Sequence, residues 1–171
     1  RFAEESGVNL YEVIDAIRLR PTHSNMMYPG VGVGGYCLTK DPLMASWSRL
    51  NHFNSSTGLK QSENGVKVND KMPLYTYEFM KKVFDLNVLT GFKVIFLGVS
   101  YRSNVGDTRY SPVERLYNFC YRAGAEISLH DPYVAFWDEL NLKVSQDLYF
   151  ILSLEIDILI VSTSHDEYKN S

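Results

Sequence analysis

The sequence predicts an α/β fold in which a helical region is followed by a domain built on a parallel sheet. Three observations predict it. Helix signals dominate up to about residue 88, buried apolar runs of strand length appear only after Gly91, and those runs alternate with helix signals in the order strand, helix, strand, helix, strand. Strands that alternate with helices join into a parallel sheet through crossover connections. A chain of 171 residues, 45% of them hydrophobic, can bury such a core.

The opening residues read as helix. In "NLYEVIDAI", Asn9 followed by Glu12 forms a capping box, and Leu10, Val13, Ile14 and Ile17 recur at helical spacing. Little periodicity is left between about Pro21 and Asp41, which predicts a loop. "PLMASWSRL" follows as a short helix. Residues 55–84 form a long, mostly polar helical stretch, with clear apolar positions only after Pro73, at Leu74, Tyr77, Met80 and Phe84. Pro73 lacks a backbone N–H and should kink or split that helix. A long helix with so little apolar surface needs a partner domain or a second subunit to pack on.

"FKVIFLG" then reads as a buried strand. Ser111, Pro112 and Glu114 give a helix start with cap, first-turn proline and box partner. Val113, Leu116, Tyr117 and Cys120 share one face, and Gly124 ends the helix. "AEISLHD" is a second strand, "SQDLYFILSL" a helix and "IDILIVST" a third strand. Ligands of such sheets sit beyond the carboxyl ends of the strands. Those ends are Gly98 to Arg109, His130 to Tyr133 and Ser162 to Asp166. The boundary between the two regions falls near Leu86 to Gly91, giving domains at 1–88 and 89–171.

Bulk properties exclude some roles. A net charge of −3 gives a nucleic-acid role no basic composition to rest on. No apolar run approaches the ~20 residues a membrane helix needs, and no secretory signal is visible. The chain opens on Arg1 rather than Met, so a piece of a longer protein is expected. Two cysteines, Cys37 and Cys120, make no disulfide framework, which fits a reducing, cytoplasmic setting.

The densest chemistry lies in "PGVGVGGYCLTKDP", residues 29–42. Its glycines formally satisfy G-x-G-x-x-G. A dinucleotide fingerprint also needs a strand before it, a helix at the third glycine and an acid about 20 residues on. "THSNMMYP" is no strand, and no Asp or Glu lies between Pro42 and Ser62, so the match is rejected. What remains is backbone that can approach a ligand closely, followed by a cysteine. Lys40 could favour the Cys37 thiolate, and Asp41 could act on a water or a hydroxyl. A surface loop with a buried cysteine explains the same residues, since cysteine is among the most buried residue types.

Taken together, "PGVGVGGYCLTKDP", "YRSNVGDTRYSP" and "HDPY" resemble the UDP-glucose/GDP-mannose dehydrogenase family, in order and spacing and over essentially the whole chain. The two long motifs carry the specificity. The form P-G-x-G-V-G-G-x-C resembles the branch that oxidises UDP-N-acetylhexosamines such as UDP-N-acetylmannosamine. The resemblance implies the end of the family's helical central domain, through which it dimerises, over 1–88. It implies a Rossmann-like UDP-sugar-binding domain, incomplete, over 89–171. The family's NAD-binding domain and its catalytic lysine and asparagine lie outside this sequence, so the chain alone is expected to be inactive.

The activity implied by the resemblance is NAD-dependent oxidation of C6 of a nucleotide sugar from alcohol to carboxylate, for surface polysaccharide synthesis. Cys37 is then the nucleophile that carries a thiohemiacetal and a thioester, and Asp41 assists proton transfer or positions water. Lys40 and Arg109 contact NAD. Met26, Met27, Tyr28, Pro29, Gly30 and Gly34 line the substrate site, largely through backbone, and Tyr101 and Arg102 reach the UDP or the sugar. Arg102 stands where the family usually has lysine, a geometric change because a guanidinium binds as a fork. Tyr36 stands where this branch often has histidine, Thr39 replaces a common proline, and His23 lies near an expected arginine. A homodimer through the helix around 57–85 is also implied.

Other readings stand beside these. The rival class is a non-catalytic nucleotide-binding or dimerisation remnant of a truncated gene. UDP-glucose and GDP-mannose are the rival substrates. Asp107 is expected to brace Arg109 or cap the following turn, Ser111 to cap a helix first and contact a ligand second, and Cys120 to lie in the core. His130 and Asp131 mark either a ligand edge or an Asp-Pro turn. His165 and Asp166 are expected to be solvated, and the scattered histidines assemble no metal site.

Overall fold

The computed structural model describes residues 2–169. It forms two compact units, Arg1–Gly30 and Val31–Ser171. In the first, α1 (Phe2–Glu5) and α2 (Leu10–Arg18) precede a 3-10 turn at Pro21–His23. Asn9 caps α2 as its sequence predicts. Its side chain accepts from the Tyr11 amide at 3.1 Å and donates to Glu12 at 2.9 Å.

The second unit opens with α3 (Tyr36–His52), α4 (Lys60–Asp70) and α5 (Met72–Val83). The loop expected to run to Asp41 ends earlier, because α3 already starts at Tyr36. Gly35 explains the early start. Its φ of 81° and ψ of 174° turn the chain into the first helical turn. The Thr39 hydroxyl ties that turn by donating to the Gly35 carbonyl at 2.7 Å. The polar stretch splits as Pro73 predicts. α4 stops at Asp70, Lys71 makes the joint, and Pro73 sits in the first turn of α5, where a missing N–H costs nothing.

The rest of the unit runs β1 (Lys93–Leu97), α6 (Pro112–Arg122), β2 (Glu126–His130), β3 (Phe136–Trp137), β4 (Leu142–Lys143), α7 (Leu148–Leu152), β5 (Ile158–Val161) and a 3-10 turn at Asp166–Lys169. β1, β2 and β5 form a parallel sheet in the order β2-β1-β5. The registers align Leu97 with both His130 and Val161, so the carboxyl ends of all three strands share one edge.

Strand alternation divides the core. Val94 and Phe96 pack with Val113, Leu116, Tyr117 and Cys120 of α6, and Val31 and Met80 of the helical segment join them. Ile95 and Leu97 pack with Ile151 on the other face. Ser111 caps α6 as expected, accepting from the Val113 amide at 3.3 Å. The antiparallel β3–β4 hairpin is an addition to the sequence-predicted elements. Its Trp137 is fully buried, edge-on to Tyr117 at 6.0 Å. Among the described residues, no helix is long and apolar enough to cross a membrane.

Candidate active site

Met26, Met27, Tyr28, Pro29 and Gly30 belong to the first unit. There Tyr28 folds back on α2. Its ring stacks on Tyr11 at 5.9 Å, the Arg18 guanidinium lies 4.8 Å over it, and its hydroxyl donates to Asp15. That Asp15 bond, followed by burial, raises the Tyr28 pKa. The Tyr11 hydroxyl donates to the Pro29 carbonyl at 3.2 Å. Met27 is 82% exposed, and Pro29 and Gly30 are exposed too. The stretch therefore presents backbone and one flexible apolar side chain to solvent.

Cys37, Lys40 and Asp41 lie on α3, not in a loop. Helical residues three and four apart share a face, so the helix itself brings thiol, cation and carboxylate together. Cys37 is exposed, unlike the buried cysteine that composition alone favours. It follows Gly35 and Tyr36 at the helix start. Lys40 Nζ lies 2.9 Å from Asp41 and 3.3 Å from the Met44 sulfur. The bond to Asp41 is the main cause that raises the Lys40 pKa.

The loop from Gly98 to Ser111 approaches the same helix start. A Cβ on Gly35 would lie 3.0 Å from the Tyr101 ring, and one on Gly34 only 2.7 Å from Tyr101 Cβ. Tyr36 meets Tyr110 edge-on at 5.0 Å. Lys40 and Arg109 lie 5.7 Å and 5.9 Å from the centre of the Tyr36 ring. Asp107 grips Arg109 with both carboxylate oxygens, at 2.9 Å to Nε and 2.7 Å to Nη2, as expected. Asn69 of α4 fixes the glycine run from the other side. It accepts from the Val33 amide and donates to the Val33 carbonyl, each at 2.7 Å. Arg102 is exposed, and no carboxylate pairs with it among the described residues.

Beneath this loop lies a polar network that corrects one expectation. His165 is fully buried rather than solvated. Its ring lies between Tyr133 and Tyr168, and its Nε2 is 3.1 Å from Asp131. Asp131 is fully buried as well and does more than shape an Asp-Pro turn. It accepts from the amides of Val99, Ser100 and Tyr133. Asp166 is exposed, as expected, and exchanges hydrogen bonds with the Asn104 side chain. Burial lowers the His130 pKa.

The second unit thus gathers Gly34, Cys37, Lys40, Asp41, Tyr101 and Arg109 around the start of α3. Tyr36, Tyr110, Asn69 and the Asp131–His165 pair complete it. Asp131 was expected at a ligand edge or in an Asp-Pro turn and Tyr36 stands directly before Cys37, whereas nothing in the sequence pointed to Asn69 or to a buried His165.

Comparison with known proteins gives a consistent picture. A model of the central domain of the UDP-glucose/GDP-mannose dehydrogenase family matches residues 1–71, and one of that family's UDP binding domain matches residues 95–171. The UDP-N-acetyl-D-mannosamine dehydrogenase of Methanocaldococcus jannaschii is 33% identical over 175 aligned positions, covering 99% of this chain and 36% of that protein. The crystal structure of NDP-N-acetyl-D-galactosaminuronic acid dehydrogenase from Methanosarcina mazei Go1 superposes with a TM-score of 0.78 at 28% identity, covering 96% of this chain and 36% of that one. The UDP-D-ManNAc dehydrogenase from Pyrococcus horikoshii gives a TM-score of 0.73 at 27% identity, covering 99% and 38%. The chain spans about a third of the length of the curated relatives it matches. With two domains of one family matched in order along it, the chain belongs to the UDP-glucose/GDP-mannose dehydrogenase family.

Proposed function

We propose that this chain supplies the cysteine helix and the nucleotide-binding edge of an NAD-dependent nucleotide-sugar 6-dehydrogenase. One observation carries the reading. Cys37, Lys40 and Asp41 share the opening face of α3, and the glycines just before them pack against Tyr101 of the strand-end loop. In this division, 1–88 is the end of the central domain and 89–171 the UDP-sugar domain.

The chemistry proceeds in two oxidations at C6. Loss of a hydride and a proton turns the alcohol into an aldehyde. Cys37 Sγ adds to the aldehyde carbon and gives a thiohemiacetal, the thiol proton ending on the new oxygen. Loss of a second hydride and that proton gives a thioester. Water, positioned by Asp41, then adds, breaks the C–S bond and releases the carboxylate and the free thiol. NAD, when bound, supplies the hydride acceptor for both oxidations. Lys40 and Arg109 would hold it. Both are cations flanking one aromatic ring, a donor set that suits a dinucleotide's phosphates.

Gly34 would contact the sugar through backbone, and Tyr101 and Arg102 the UDP. The relatives named above favour UDP-N-acetylmannosamine or a related UDP-N-acetylhexosamine as substrate. Surface polysaccharide synthesis in the cytoplasm is the proposed use. A homodimer through the helices within 57–85 is proposed as well, supported by exposed Leu74, Phe79 and Val83 on α5. The test joins this stretch to the family's NAD-binding domain and to the central-helix segment that carries its catalytic lysine and asparagine, and follows NADH on UDP-N-acetylmannosamine, UDP-glucose and GDP-mannose. Two NADH per sugar are expected on the first substrate, with no acid formed by Cys37→Ser. Acid formation by Cys37→Ser would overturn the reading.

A further inference from the structure

We propose that the buried Asp131–His165 pair is a positioning device that holds the loop bearing Tyr101 and Arg102 in its nucleotide-ready form, a claim that rests on the nucleotide site proposed above. The pair acts through the loop and touches no ligand itself.

The geometry is specific. Asp131 follows β2, His165 follows β5, and the loop between them follows β1, so all three strand ends take part. Asp131 Oδ2 accepts from the Val99 amide at 2.8 Å and the Ser100 amide at 3.1 Å. His165 Nδ1 lies 2.9 Å from the Asn104 amide. An amide can only donate, so Nδ1 must accept, and the ring proton sits on Nε2, within reach of Asp131 at 3.1 Å and Ser100 Oγ at 3.2 Å. The loop is therefore pinned at residues 99, 100 and 104. Tyr101, Arg102 and Ser103 span the gap between the pins. The Tyr101 amide is held by the Asp107 carbonyl at 2.9 Å, and the Arg102 guanidinium is left facing solvent.

An apolar pair of similar volume could fill this space and would avoid burying a charged group, but it would leave the buried Val99 and Ser100 amides and the Asn104 amide without acceptors. What apolar side chains cannot do is bond three loop amides. Those bonds order the loop before a ligand arrives and lower the cost of binding.

Two variants separate the two ring nitrogens. The His165→Asn side chain reaches about as far as Nδ1 and can accept from Asn104. The His165→Gln side chain reaches toward Nε2 and keeps only the Asp131 bond. His165→Phe keeps the ring between Tyr133 and Tyr168 and makes neither bond, and it replaces the Gln variant if that one fails to fold. Two quantities are read: hydrogen exchange at amides 101–104, which needs no ligand, and UDP affinity by calorimetry. Positioning predicts a protected Asn104 amide and near wild-type affinity for Asn. It predicts fast exchange at Asn104 and about tenfold weaker UDP binding for Gln or Phe. A purely structural role predicts similar behaviour in all variants, and that result overturns the proposal. Wild-type chain that binds no UDP sinks the nucleotide site and the proposal with it. Equal affinity in wild type and the Gln or Phe variant sinks the positioning claim alone.

Discussion

Gly34 lies so close to Tyr101 that a Cβ built on it would sit 2.7 Å from the tyrosine's own Cβ and 2.7 Å from the Tyr110 carbonyl oxygen. Neither neighbour is the free end of a flexible side chain, so one backbone segment has to move. Gly34→Ala should cost about 1–3 kcal/mol of stability through this overpacking. Denaturant midpoints of the two proteins check it. An unchanged midpoint would mean that the glycine run and the strand-end loop are not in contact.

The two cysteines should differ in reactivity. Cys37 is exposed at a helix start, whereas Cys120 is fully buried and its thiol is pushed up to about 12 by burial. Iodoacetamide on the native chain should label Cys37 and spare Cys120, with both labelled after denaturation. Mass spectrometry of the peptides reads the result directly.

Asp107 and Arg109 form a bidentate pair on the surface of the strand-end loop. The Arg109 bond is the main cause that draws the Asp107 carboxyl below its ordinary range. A carboxyl depressed in the folded state adds stability above its unfolded-state pKa and loses it as pH falls through the folded value. Arg109→Ala should therefore move the Asp107 titration, followed by NMR, back up toward the ordinary range. Arg109 is 66% exposed, so the stability change at neutral pH should be small.

Asp131 should matter far more. Burial by itself raises its carboxyl, but the bonds from His165 and from the Tyr133, Ser100 and Val99 amides outweigh burial and draw it down. Asp131→Asn places an NH₂ group against amide donors and should cost about 2–4 kcal/mol. The sign with pH follows from the depressed carboxyl. Wild type should lose this stability as pH falls below the ordinary carboxylate range, and the variant, with no carboxyl to protonate, should lose less. His165, His130, Tyr168 and Glu167 also surround the site, so the comparison is made between the two proteins at each pH. Denaturant midpoints at about pH 7 and about pH 3 check it.

The sheet and its covering helix were legible because their signals are local. "FKVIFLG" alternates toward two cores, and Ser111-Pro112 sets the start of α6 within three residues. The start of α3 was not legible. It depends on the φ of Gly35, with no side-chain cap, inside a run of glycines that reads as loop. That miss affects the site, because the shared face of Cys37, Lys40 and Asp41 exists only once the helix reaches back to Tyr36. The β3–β4 hairpin has two-residue strands, too short for any period. His165 carries no local sign of burial in the sequence. Its burial comes from the β1 loop closing over it, through Ser100 and Asn104 more than 60 residues earlier in the sequence.

The most direct test of the account is a calorimetric titration of UDP into the chain, wild type against Arg102→Ala. Arg102 is exposed and pairs with no carboxylate among the described residues, so its loss should leave the fold intact. Saturable binding by wild type that Arg102→Ala weakens about tenfold or more is the predicted result, the size expected for a charge-assisted phosphate contact. Binding of equal strength in both proteins would contradict the placement of the nucleotide site at the end of β1.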